Sequence, residues 1–154
     1  MKFRVERERE IFRGRTIRLV TRDLRLPTGR RTVYSVVEHP GAVAILPVFG
    51  DGDVMLIRQF RPSIGKELYE IPAGTLEKGE KPLATAKREI VEETGYKAKT
   101  WKKLTEFYTA PGFCTELITV FLAKGLSPAS APGDEDEIIE PARMSLNRAL
   151  SMIR

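Results

Sequence analysis

Cysteine, histidine and tryptophan each occur only once in this chain of 154 residues. A lone Cys114 excludes an internal disulfide and suits a reducing compartment. Long apolar runs are missing too: stretches such as "AVAILPVF" at 42–49 fall far short of the roughly 20 residues needed to cross a bilayer as a helix. The opening "MKFRVERERE" has no apolar core, so neither a signal peptide nor export is expected. Repeats and low-complexity linkers are absent. A cytoplasmic protein with no membrane association is expected.

What is present is the composition of an ordered globular chain, 42% hydrophobic and 31% charged. Its length suits one domain spanning residues 1–154. The net charge of +5 is uneven: residues 1–31 hold eleven Lys/Arg against four Asp/Glu, leaving the remainder near −2. Such a basic segment attracts polyanions. Here, however, basic and apolar residues alternate in "FRVERERE" and "RTIRLVTRDLRL", the period-two pattern of a strand with one wet face. No aromatic ladder or recognition helix accompanies it, so a nucleic-acid surface is not expected.

Strand patterns fall at about 2–10, 15–25, 31–38, 42–49, 53–60, 102–109, 116–124 and 137–143, separated by turn signals such as "PTGR", "HPG" and "GDGD". Helical patterns fall at 82–94 and 145–153, and "LSPASAPGDED" at 126–136 reads as loop. Many strands with two helices in one small chain give an α+β fold, a mixed sheet with helices packed on it.

The first helix is well marked. Pro82 suits the first turn, Glu80 stands by the positive end of the helix dipole, and Gly95 ends the helix as a left-handed residue. Leu83, Ala86, Ile90 and Thr94 are expected to face the core. Glu89, Glu92 and Glu93, at i, i+3 and i+4, share another face. Two carboxylates about 4 Å apart repel by roughly 1 kcal/mol in water and about 4 kcal/mol at an effective dielectric of 20. That face therefore splays into solvent or holds something cationic, and an oxygen-only ligand set with no Cys/His cluster favours Mg²⁺ or Mn²⁺ over zinc.

Outward from the helix, the chain reads Gly74, five residues, Glu80, seven residues, Arg88-Glu89-Ile90, one residue, Glu92-Glu93, one residue, Gly95. This resembles the Nudix box of the Nudix hydrolases at all seven fixed positions. At roughly 6% per position, a chance match is on the order of one in a million. Tyr96 departs from the aliphatic residue usual there. The resemblance implies a Nudix-type α/β/α sandwich and metal-dependent hydrolysis of a nucleoside diphosphate linked to another moiety, with two to three Mg²⁺ or Mn²⁺ ions. It implies Glu89 and Glu93 as principal metal ligands and catalytic carboxylates, assisted by Glu92 and the Ala73 carbonyl. Gly74, Glu80, Arg88 and Gly95 support the box.

"IRQFRP", "ELYEIPAGTLEKGE" and "FYTAPGFCTEL" further resemble the ADP-ribose pyrophosphatase branch. That branch implies a nucleoside diphosphate sugar as substrate, with Arg61, its companion Arg58, Glu70, Pro111, Gly112 and Glu116 at the substrate. It also implies a loop glutamate that activates water, here Glu135, and a further ligand, Glu137, with Asp134 and Asp136 as alternatives. A homodimer is implied, built with the strands of residues 1–38, where Phe12, Arg13 and Arg15 are candidates for framing the adenine. Another Nudix specificity (GDP-mannose, NADH or an oxidised nucleotide) and a non-catalytic RNA-binding module are the alternatives. His39 reads as a turn residue without a partner, Trp101 as strand-edge packing and Cys114 as a buried thiol.

Overall fold

The computed structural model describes residues 2–131 and 138–153, and the chain divides into two compact units. The first unit comprises residues 1–41 and 107–118. It holds an antiparallel sheet of β1 (Arg4–Arg13), β2 (Arg18–Arg25) and β3 (Arg31–Glu38). Alternation places Glu6, Glu8 and Glu10 of β1 against arginines of β2. Arg18 and Arg22 both join Glu8 to Glu38, and Arg25 and Arg31 converge on Glu6. The wet face is thus a ladder of ion pairs rather than a bare cationic surface. Exposed pairs contribute about 0–1 kcal/mol each, so the ladder sets register more than stability.

The second unit, residues 42–106 and 119–154, is built on a sheet of seven strands in the order β10-β5-β4-β9-β8, with β6 beside β5 and β7 beside β4. The strands are β4 (Ala42–Val48), β5 (Asp53–Arg61), β6 (Lys66–Glu70), β7 (Ala73–Thr75), β8 (Tyr96–Tyr108), β9 (Leu117–Pro128) and β10 (Ile139–Ser145), with helices α1 (Pro82–Thr94) and α2 (Leu146–Ser151). Period two explains the layering. Val43 and Ile45 of β4 join Ala86 and Ile90 of α1 with Phe121 and Ala123 of β9. Leu46 and Val48, on the other face of β4, join Val54, Leu56, Met144 and Ala149 of α2. A helix therefore covers each face of the sheet, the α/β/α arrangement expected. Burial of residues such as Ile45, Ile90 and Val54 stabilises by about 1.5–3 kcal/mol each.

Several sequence expectations are corrected. β6 and β7 carry no strong strand pattern and form because β5 and β4 offer them pairing partners. β8 begins at Tyr96, directly after the Gly95 reversal, and β9 runs to Pro128, into the stretch read as loop. On α1, Leu83 is exposed, whereas Thr85 and Glu93 are buried with Ala86, Ile90 and Thr94. Glu93 is covered on its side by β7, whose Ala73 N–H it accepts.

Candidate active site

The site is organised by α1. Pro82 occupies its first turn after Lys81, and Gly95 closes it at φ 71°, its N–H donating to the Val91 carbonyl. Only glycine adopts that conformation without strain. Between these ends the chain presents Arg88, Glu89, Glu92 and Glu93 within two turns.

Each carboxylate meets a donor. Arg88 Nη1 lies 2.8 Å from both Glu89 Oε1 and Glu92 Oε2. Its Nε and Nη2 donate to Glu80 at 3.4 and 3.2 Å. Glu93 is 6% exposed and accepts the Ala73 N–H at 2.9 Å through Oε2. Glu89 lies against Gly74 so closely that a Cβ there would stand 2.0 Å from its carboxyl group. The backbone of β7 thus lies against the Glu89 carboxyl group, and a side chain at residue 74 would displace it. Burial alone would pull the Arg88 guanidinium down, but the hydrogen bonds and charges of Glu80, Glu89 and Glu92 push it above its ordinary value. It stays cationic, and this charge is what makes the acidic turn tolerable.

Glu80 does not cap α1. Its carboxylate accepts the Glu77 N–H and holds Arg88. The Arg88 hydrogen bond, opposed by partial burial and aided by the Glu77 amide and Thr85 hydroxyl, lowers its pKa from the ordinary 4.5. Among the described residues, no three His, Cys, Asp or Glu side chains already converge as a metal cage. The donor set is nonetheless the hard-oxygen set a divalent cation takes: Glu89 against Gly74, Glu93 on the Ala73 amide and Glu92 on Arg88, all from neighbouring turns of one helix.

Beside them, β5 and β6 form a hairpin through the turn at 62–65. Ile57 faces Glu70, Gln59 faces Leu68 and Arg61 faces Lys66, so Arg61 and Glu70 share a face. Arg61 grips Glu70 through Nε and Nη2 at 2.9 and 2.6 Å. Arg58, three residues from Arg61, projects from the opposite face, where it pairs with Glu67 and Glu140. The hairpin therefore does not bring Arg58 and Arg61 together. The Arg61–Glu70 grip was missed in the sequence; the turn "PSIG" ahead of "KELYE" was the available signal.

In the first unit, Pro111 and Gly112 form a turn closed by Phe113 and Cys114 N–H groups on the Ala110 carbonyl. Glu116 accepts the Thr109 hydroxyl at 2.7 Å. His39 is not partnerless: its Nδ1 accepts the Gly41 N–H at 3.1 Å and lies 3.6 Å from Glu116. Cys114 is half-buried, its Sγ accepting the Glu116 N–H. Trp101, on β8 at the end of the sheet order, packs edge-on against Phe121 of β9. Asp134, Glu135, Asp136 and Glu137 lie outside the described residues.

An arginine braced among helix glutamates, with a side-chain-free backbone over them, is the loop–helix–loop of one family, and the chain belongs to it: the NUDIX domain model matches residues 38–153. Within that family the chain is 46% identical over 146 residues to the ADP-ribose pyrophosphatase of Bacillus subtilis (strain 168), covering 94% of this chain and 79% of that protein. It is 42% identical over 147 residues to the methanol dehydrogenase activator of Bacillus methanolicus, covering 94% and 80%. The crystal structure of an ADP compounds hydrolase matches with a TM-score of 0.86 and 26% identity, covering 99% of this chain and 83% of that one.

Gly74→Ala is expected to push the flexible Glu89 side chain aside. The thermal midpoint should change little while divalent-metal affinity, measured by calorimetry, falls about 10–100-fold, the usual scale for disturbing a ligand's supporting contacts. Because the Glu80 pKa is lowered in the fold, its stabilisation is present above the ordinary 4.5 and lost as pH falls toward the folded value. Denaturant unfolding between pH 7 and pH 3 should therefore show a pH-dependent loss in the wild type that is shallower in Glu80→Gln; parallel curves would exclude this role for Glu80.

Proposed function

We propose that the protein hydrolyses the pyrophosphate bond of ADP-ribose, giving AMP and ribose 5-phosphate, with divalent cations held by the glutamates of α1. The observation that carries the reading is the buried Glu93, fixed by the Ala73 amide, with Glu89 packed against the Gly74 backbone. A carboxyl group buried on a helical turn that carries two further glutamates is expected where it must hold a cation. Relatives that include an ADP-ribose pyrophosphatase over most of both chains support the substrate.

In this reading Glu89, Glu92, Glu93 and the Ala73 carbonyl hold two to three Mg²⁺ or Mn²⁺ ions. When bound, such ions neutralise charge on the pyrophosphate and lower the pKa of a water. Arg88 holds Glu89 and Glu92 in place through its three carboxylate contacts. The planar guanidinium of Arg61 suits a bidentate phosphate contact that keeps the scissile bond aligned. Glu135 takes the proton of the attacking water and Glu137 adds a ligand, both on the strength of the sequence resemblance alone. Pro111, Gly112 and Glu116 are the proposed contacts for the sugar side, and Arg58 supports the hairpin that carries Arg61.

A homodimer through the first unit completes the proposal, supported by the exposed Phe3, Val5, Ile11, Phe12, Val33 and Tyr34 on its strands and termini. Exposed apolar residues in such numbers mark an interaction surface. The proposed setting is cytoplasmic, in keeping with the single cysteine; no helix among the described residues is long and apolar enough to cross a membrane.

Incubation with Mg²⁺ and ADP-ribose should release AMP, and Glu93→Gln should lower kcat by roughly 10²–10³-fold, the scale of losing one preorganised charge-stabilising group. Cleavage of GDP-mannose or NADH with ADP-ribose left intact would exclude the substrate, and near-normal turnover of Glu93→Gln would exclude its role. Light scattering is expected to give the mass of two chains; a one-chain mass at micromolar concentration excludes the dimer.

A further inference from the structure

The run Glu70-Ile71-Pro72-Ala73 is committed at both ends. At its start, the Glu70 carboxylate takes the Nε–Nη2 edge of Arg61 at 2.9 and 2.6 Å. At its end, the Ala73 N–H donates to Glu93 Oε2 at 2.9 Å. The backbone between them is tied down. Glu70 pairs with the fully buried Ile57 of β5, Pro72 is fully buried with its carbonyl accepting the Ile45 N–H at 2.8 Å, and Ala73 pairs with Ala44 of β4. A two-point carboxylate–guanidinium contact fixes the direction of the arginine and the rotation of its plane.

We propose that Glu70 is a positioning residue for Arg61 rather than a substrate contact. Its carboxylate holds one edge of the guanidinium and directs the Nη1–Nη2 end at a phosphate of the substrate. The run from Glu70 to Ala73 then acts as a spacer that sets where this phosphate anchor stands relative to the Glu93 carboxylate. The inference rests on Arg61 being a phosphate contact and extends that reading to how the contact is aimed. It also explains why a half-buried arginine, otherwise a long and flexible side chain, is paired on the strand face next to buried Gln59 and Ile57.

The test is a double-mutant cycle of Arg61→Ala, Glu70→Gln and the pair, read both as kcat/KM and as the Kd of ADP-ribose by calorimetry without added metal. Glu70→Gln keeps the shape of the side chain and removes its charge. Alone it is expected to weaken Kd and kcat/KM about tenfold, the scale of losing an orienting partner, with the change mainly in KM. Added to Arg61→Ala, it is expected to change either readout less than about twofold, because nothing remains to be aimed. A further tenfold loss in the Arg61→Ala background would overturn the proposal, since Glu70 would then touch substrate itself. Unchanged binding and turnover in Arg61→Ala would overturn it as well. Should Glu70→Gln fail to fold, as judged by its thermal midpoint, Glu70→Asp takes its place in the cycle with the same expectations. If the wild type cleaves another nucleoside diphosphate sugar and not ADP-ribose, the substrate reading falls by itself, and the same cycle on that sugar decides the role of Glu70.

Discussion

Carboxylates crowded onto one helical turn need counter-charge or hydrogen-bond donors, and the architecture of the second unit follows from how that need is met. Arg88 sits among Glu80, Glu89 and Glu92, while Glu93 turns inward to the amide of Ala73. Without these donors the repulsion between neighbouring glutamates would reach several kcal/mol in a partly buried setting. With them, the turn becomes a preorganised array of oxygens.

That array depends on a three-residue strand. β7 is too short to be stable alone, yet it pairs with β4, whose Val43 and Ile45 anchor the core under α1. The sheet therefore holds Ala73 and Gly74 at a fixed height over the helix, and the absence of a side chain at residue 74 allows Glu89 to approach. The β5–β6 hairpin extends the same platform, putting the Arg61–Glu70 pair on one face and Arg58 on the other. Core packing, strand pairing and charge placement are thus successive consequences of one another.

The first unit meets a different electrostatic problem by the same means. Its arginines are interleaved with Glu6, Glu8, Glu10 and Glu38, so Arg18, Arg22 and Arg25 are engaged in ion pairs within the sheet rather than standing as bare cations. The pairs bridge β1, β2 and β3, and because they are solvent-accessible they specify register at modest energetic gain. The apolar residues left exposed there, not the basic ones, are its distinguishing surface.

Features governed by local geometry were legible in the sequence. The helix from Pro82 to its Gly95 end, the shared turn of Glu89, Glu92 and Glu93, and the reach from Arg88 to Glu92 all follow from 3.6 residues per turn and the backbone freedom of glycine. The box spacing from Gly74 to Gly95 identified the family for the same reason: it is a contiguous segment with fixed local roles. Tertiary structure alone decided the rest. Whether Leu83 or Thr85 is buried depends on how the strands of the sheet lie against the helix. The identities of β6 and β7 depend on neighbouring strands rather than on their own composition. Glu93 could be assigned its amide, Arg61 its carboxylate and Arg58 its separate face only once chain segments up to 82 residues apart were brought together. Periodicity specifies which residues share a face, but not which backbone will cover that face.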